Sequence, residues 1–231
     1  MSKILFVMTG VDHWTLADGT KHPTGFWAEE AVAPYEAFKA AGHEIIVATP
    51  GGVVPTVDRG SLVPEVNGGQ EGADKIAAAL ASIAEIKSPI RLEDVHLADY
   101  DAVFYPGGHG PMEDLAVNTA SGRLLIDTLG SGKPLGVLCH APAALLAATD
   151  ADGSNAFAGY QAAAFTNAEE TQAGFADQAK WLLETRLSEA GIDVQVGEPW
   201  APNVVVDRNL VTGQNPASSA PLAAELLKKL A

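Results

Sequence analysis

Cys139 is the only cysteine among 231 residues, and a histidine, His140, follows it directly. If the imidazole takes the thiol proton, the sulfur becomes a soft thiolate able to attack a carbonyl carbon. Such a pair needs a carboxylate to orient the ring and donors to receive charge developing on the carbonyl oxygen. Acidic residues stand in two pairs, Glu29-Glu30 and Glu169-Glu170, and a glycine pair, Gly107-Gly108, lies in the run Pro106-Gly-Gly-His-Gly110. Glycines let backbone N–H groups come close to a ligand, so this pair, with the N–H of His140, is a candidate oxyanion site. The competing reading of Cys139 is a small hydrophobe at the end of a core strand.

Pro134 to Leu138 is a short apolar run that suits a buried strand, and Ala141 to Ala148 is rich in helix formers. A strand turning sharply into a helix lifts the junction residue, Cys139, above the sheet, where neighbouring side chains need no longer face opposite ways. Ile4–Met8, His43–Thr49 and Asp101–Tyr105 read as further strands. Helices are expected over about 26–41, 73–86 and 115–129, and one long helix from Thr166 or Asn167 to about Ala190. Ala162–Phe165 is a weaker strand, and Val204–Val206 with Leu210–Thr212 forms a hairpin. Asn215 caps a final helix with Pro216 in its first turn. Strand alternating with helix predicts an α/β fold with a mostly parallel central sheet. In such sheets the loops at the strands' C-terminal ends carry the site, and both glutamate pairs, the glycines and Cys139 fall there. Residues 11–23 and 50–72 read as loops, the second long enough to suggest a functional role.

The chain carries 14 Lys and Arg against 29 Asp and Glu, a formal charge of −15. That balance argues against nucleic acid or anionic membrane as a partner and leaves small substrates open. A lone cysteine cannot close an internal disulfide, and no apolar run has the length of a bilayer span, so the expectation is a cytoplasmic protein. The length suits one domain over residues 1–231. The six histidines are scattered, with no His-x-x-x-His and no paired cysteines, so no metal site is expected.

Pro106-Gly-Gly-His-Gly110, Val137-Leu-Cys-His-Ala-Pro142, Phe165-Thr-Asn-Ala-Glu-Glu170 and Val211-Thr-Gly-Gln-Asn-Pro-Ala-Ser218 resemble the PfpI and parkinsonism-associated deglycase superfamily. Thr24-Gly25 with an acidic residue on the next helix, and Gly197-Glu-Pro-Trp200, are similar to its branch of glutathione-independent glyoxalases, also described as heat-shock chaperones. The resemblance runs through nearly the whole chain in the same order. It implies a three-layer sandwich of the flavodoxin-like, class I glutamine-amidotransferase-like type and a homodimer.

By position, the resemblance makes Cys139 the nucleophile, His140 its base or proton shuttle, and Glu170 the carboxylate behind His140. Glu30 sits near the sulfur, hydrogen-bonding it or relaying protons, beside the Gly107 and Gly108 oxyanion donors read above. Spacing from Thr24-Gly25 favours Glu30 over Glu29, and spacing from Phe165-Thr166 favours Glu170 over Glu169. The implied reaction converts methylglyoxal, a small 2-oxoaldehyde, to lactate, and glyoxal to glycolate, through a thiohemiacetal and an enediol, with no cofactor. Two alternatives stand beside it. One is a cysteine hydrolase, amidase or deglycase of the same fold. The other is a stress-response holding chaperone with Cys139 as an oxidation sensor.

Overall fold

The computed structural model describes all residues, Met1–Ala231. In chain order the elements are β1 (Lys3–Val7), β2 (His13–Thr15), β3 (Lys21–Pro23), α1 (Ala28–Ala40), β4 (Glu44–Thr49), α2 (Gln70–Ser82), β5 (Ile90–Arg91) and β6 (Ala102–Tyr105). They continue with α3 (Gly110–Glu113), α4 (Thr119–Ser131), β7 (Leu135–Leu138), β8 (Gln161–Ala162), α5 (Asn167–Gln172), α6 (Leu183–Glu189), β9 (Asp193–Val194), β10 (Val204–Asp207), β11 (Leu210–Gly213) and α7 (Ser219–Leu230). The main sheet has seven strands in the order β10-β11-β7-β6-β1-β4-β5. Every neighbouring pair is parallel except the β10–β11 hairpin.

Strands β6, β7 and β11 are buried along their whole length, which is why they read as unbroken apolar runs rather than alternating ones. Helix α1 packs on α7 and α2, while the turns at Ala141–Ala147 pack on α4 and α6, so helical layers flank the sheet. Phe6, Phe38 and Phe104 meet between β1, β6 and α1, with ring centroids 4.8–6.0 Å apart. Each such side chain, fully buried, contributes about 1.5–3 kcal/mol, so the sheet rim rests on a stiff core. No helix is long and apolar enough to cross a membrane.

Register sets the site. Tyr105 pairs with Val137 and Leu138 with Gly213, so Pro106-Gly107 and Cys139 leave adjacent strands at the same rim.

The local reading of the chain needs correction in several places. Residues 11–23 contain the antiparallel hairpin β2–β3, too short and too polar to show a strand period. The helix read over 73–86 spans Gln70–Ser82. The segment 141–147 winds as 3₁₀ turns, with Pro142 near its start. The single helix read over 166–190 is two, α5 and α6; the first stops at Ala173, and Gly174 follows with φ 84°. Only Gln161–Ala162 of the weak strand pairs, and it pairs with β9 outside the main sheet.

Candidate active site

Cys139 follows β7 with φ 60°, a left-handed backbone uncommon for a residue with a side chain. Its N–H donates to the Gly213 carbonyl at 2.8 Å, and its own carbonyl accepts from the Phe165 N–H at 2.9 Å. These two bonds hold a conformation that costs about 1–3 kcal/mol. The inverted backbone cancels the alternation of a regular strand, and Cys139 Sγ lies 3.3 Å from His140 Nδ1.

The other nitrogen of that ring, Nε2, is 2.8 Å from Glu170 Oε2. Glu170 stands in the first turn of α5, which Thr166 caps: its hydroxyl accepts from the Glu169 N–H, and the Glu169 carboxylate accepts from the Thr166 N–H. The two adjacent glutamates therefore divide. Glu169 Oε1 also accepts from Asn215 Nδ2 and from the Trp200 N–H, tying the 197–203 loop and the start of the last helical segment to α5. Glu170, one position on, faces the imidazole.

A residue that sequence reasoning left without a role shares this carboxylate. His109 Nε2 lies 2.9 Å from Glu170 Oε1, and the His109 and His140 ring centroids are 4.1 Å apart. The histidine in the Pro-Gly-Gly-His-Gly run was the available signal. Burial alone would raise the Glu170 carboxyl, but the charge of His140 and hydrogen bonds from both rings outweigh it and hold Glu170 well below the usual carboxylate range. Histidines scattered in sequence thus gather in space, with ligand-type atoms of His109, His140 and Glu170 within 4.8 Å of one another. Each imidazole Nε2 is already spent on one carboxylate oxygen, so the trio stands as a hydrogen-bonded cluster.

Glu30 reaches the sulfur from the opposite side. It sits in the first turn of α1 and is fully buried, while Glu29 beside it remains partly exposed. Oε2 accepts from the Gly107 N–H at 2.8 Å, Oε1 has no hydrogen-bond partner, and the carboxyl interacts with the Cys139 thiol. Burial pushes this carboxyl up to about 8, against the opposing hydrogen bonds from Cys139 and Gly107. At neutral pH it is therefore an acid in its protonated form. Since Oε2 accepts, the proton belongs on Oε1. Burial likewise pushes the Cys139 thiol up, and a charge on Glu30 would push it further. With Glu30 neutral that repulsion is absent, and the Gly108 N–H works in the thiolate's favour.

The expected oxyanion donors need one revision. The Gly107 N–H is committed to Glu30 and is not available to a ligand. No oxygen of the protein takes the N–H of Gly108 or of His140, and these two remain beside the sulfur. Gly107 still has to be glycine: a Cβ there would stand 2.5 Å from the Leu138 carbonyl oxygen and 2.7 Å from Glu30 Oε2. Gly108, at φ 97°, is similarly locked, with the Gly25 carbonyl oxygen 2.5 Å from where a Cβ would be.

Cys139, His140 and His109 open into a cleft of about 820 Å³. Trp27, Phe165, Phe175 and Trp200 form much of its wall, and Thr56–Gly60, from the long loop after β4, closes one side. That loop is fastened to the start of α1 by Thr24 Oγ1 donating to Asp58 and the Ala28 N–H donating to Ser61 Oγ. Trp14, by contrast, is buried and stacks on His109 with centroids 4.5 Å apart.

A strained cysteine at a strand end, an adjacent histidine backed by a carboxylate and a glycine loop at the same rim match one family: the sequence model of the DJ-1/PfpI family fits residues 23–229. The chain belongs to the DJ-1/PfpI family. Within it, the chain is 26% identical to Glyoxalase 3 of Candida albicans over 98% of both chains. The crystal structure of glyoxalase III from that organism superposes with a TM-score of 0.83, at 25% identity, covering 99% of this chain and 97% of the other. The protein/nucleic acid deglycase HchA of Pseudomonas aeruginosa is 28% identical over 94% of this chain and 77% of its own. A bovine glutamine amidotransferase-like class 1 domain-containing protein 1 is 37% identical over 61% of this chain. The match spans 64% of that relative's length. The fold expected from the resemblance, a mostly parallel sheet between helices, is the one observed.

Proposed function

We propose that this DJ-1/PfpI member is a glutathione-independent glyoxalase that converts methylglyoxal to lactate, and glyoxal to glycolate. The observation that carries the reading is the pair of carboxyls around one sulfur. Glu170 Oε2 lies 2.8 Å from His140 Nε2, on the ring whose Nδ1 is 3.3 Å from the sulfur. The fully buried Glu30, held by the Gly107 N–H, interacts with the Cys139 thiol and is pushed by burial up to about 8. The similarity to Glyoxalase 3 over 98% of both chains supports it.

The steps follow from the groups present. His140 Nδ1 accepts the thiol proton as Sγ bonds to the aldehyde carbon, and it returns that proton to the aldehyde oxygen, giving a thiohemiacetal. The charge that appears on oxygen meets the N–H groups of Gly108 and His140. Loss of the hydrogen on C1 and gain of one at C2 pass through an enediol to a thioester. Water then adds to the thioester carbon as His140 takes its proton, the C–S bond breaks, and His140 passes that proton to the departing sulfur, restoring the thiol and releasing the hydroxy acid. The reading takes residues 1–231 as one domain and assigns no cofactor to any step.

A deglycase reading has one observation of its own: the cleft is in the range that encloses drug-sized ligands, about 300–1,000 Å³, and exceeds what a three-carbon aldehyde fills. An adduct of methylglyoxal with an amino acid would occupy more of it and would form the same sulfur intermediate. The separating experiment is lactate formation by the purified protein from methylglyoxal, free of glutathione and amines, beside release of amine from a preformed adduct. Turnover of free methylglyoxal that Cys139→Ala abolishes is the expected result. Amine release without turnover of the free aldehyde would transfer the assignment to the deglycase, and no Cys139-dependent reaction with either would refute both.

A further inference from the structure

The doubly engaged Glu170 fixes more than the orientation of His140. An ionised carboxylate can only accept hydrogen bonds, so the ring nitrogen facing each oxygen, Nε2 of His140 and Nε2 of His109, carries the N–H. In a neutral ring the other nitrogen is then a bare lone pair. For His140 that lone pair, on Nδ1, is spent on the thiol. For His109 it is not spent: Nδ1 has no hydrogen-bond partner in the protein, is not among the sealed polar atoms, and belongs to a ring that lines the cleft. The ring is clamped, stacked at 13° on Trp14 and packed edge-on with Phe175, ring centroids 5.3 Å apart. Burial and the neighbouring His140 lower its basicity, which keeps it neutral and ready to accept.

We propose that His109 is a second acid–base residue of this site, its Nδ1 moving the proton between the two carbons of a 2-oxoaldehyde while His140 serves the sulfur and the oxygens. The inference rests on the glyoxalase reading. In the thiohemiacetal the C1–H bond breaks, its proton going to His109 Nδ1 and its electron pair forming the C1=C2 bond. The C2 carbonyl pair moves to its oxygen, giving the enediolate. The proton on His109 then passes to C2, the C1 hydroxyl proton passes through His140 to the C2 oxygen, and the thioester results with both rings neutral. One imidazole already committed to the thiol is thereby spared a second transfer at carbon. Glu170 stabilises either ring while it is charged, one on each oxygen.

The test is His109→Gln, whose amide can still donate to Glu170 but cannot carry a proton. Two rates are compared with the native protein: alkylation of Cys139 by iodoacetamide, and lactate formation from methylglyoxal. The expected result is alkylation unchanged within about twofold and kcat reduced by about 100-fold or more. With methylglyoxal deuterated at C1, the variant should also show a larger isotope effect on kcat than the native protein, because proton transfer at carbon becomes limiting. A variant that keeps kcat within about threefold overturns the proposal while the glyoxalase reading stands. Loss of alkylation and turnover in parallel also overturns it, leaving His109 a support of Glu170. A native protein that forms no lactate removes the parent reading itself.

Discussion

The starts of α1 and α5 are built alike, each a helix at the sheet rim with two glutamates in its first turn, and each sends one glutamate to the same sulfur and imidazole. Their chemistry is opposite. Glu30 lies in a pocket that offers one N–H, from Gly107, and no cation, so burial wins and the carboxyl keeps its proton up to about 8. Glu170 is nearly as buried but stands between two imidazoles, and their charge and hydrogen bonds keep it ionised far into acid. Residue type and helix position thus leave the protonation state open; the companions decide it. The outer member of each pair differs too: Glu169 is a structural cap with four hydrogen bonds from Thr166, Asn215 and Trp200, whereas Glu29 remains partly exposed.

Breaking the ionised side should matter most. Glu170→Gln removes the charge behind His140, and kcat for lactate formation is expected to fall by about 1,000- to 10,000-fold, read in a steady-state assay. The neutral side comes next. Glu30→Gln keeps the shape and the acceptor for Gly107 but loses the acidic proton beside Cys139, and kcat should fall about 100-fold. The same variant tests the sign of the ionisation. A carboxyl whose folded value is raised from its ordinary 4.5 to about 8 favours folding below the ordinary value and loses that contribution as pH rises through about 8. The melting temperature of Glu30→Gln should therefore gain on the native protein as pH rises from about 4.5 to about 8, by the equivalent of a few kcal/mol, and the difference should level off above that. A gap that shrinks instead would mean Glu30 is ionised in the native state.

The outer glutamates sharpen the contrast. Glu169→Ala should cost about 1–3 kcal/mol in denaturant unfolding, from a lost cap and unpaired buried partners, with a loosened Trp200 loop seen as higher KM more than lower kcat. Glu29→Gln should change stability by less than about 0.5 kcal/mol and leave turnover alone.

The rim was legible because parallel central strands leave continuous apolar runs and because the loops after them carried the reactive residue types. Placement of Cys139 beside His140 was not legible from a two-residue strand period; it depends on φ 60°, which the Gly213 and Phe165 backbone bonds hold from distant parts of the chain. The inward turn of Glu30 came from the resemblance and not from its own pattern, since an acidic residue in a first turn ordinarily does no more than answer the helix dipole. His109 was missed because its partners come from three segments: Trp14 on a hairpin too short to show periodicity, Glu170 in α5, and His140 after β7. Gly107 was identified by its type, but its N–H turned out to serve Glu30, a contact between residues 77 positions apart.

The most direct test of opposed carboxyls around one sulfur is carbon-13 NMR of protein labelled at the glutamate side-chain carboxyl, titrated with pH and assigned with Glu30→Gln and Glu170→Gln. The account predicts a Glu30 signal at the protonated position at neutral pH, titrating near 8, and a Glu170 signal at the ionised position throughout the ordinary carboxylate range. An ionised Glu30 at neutral pH, or a Glu170 that takes up its proton at an ordinary value, would contradict it.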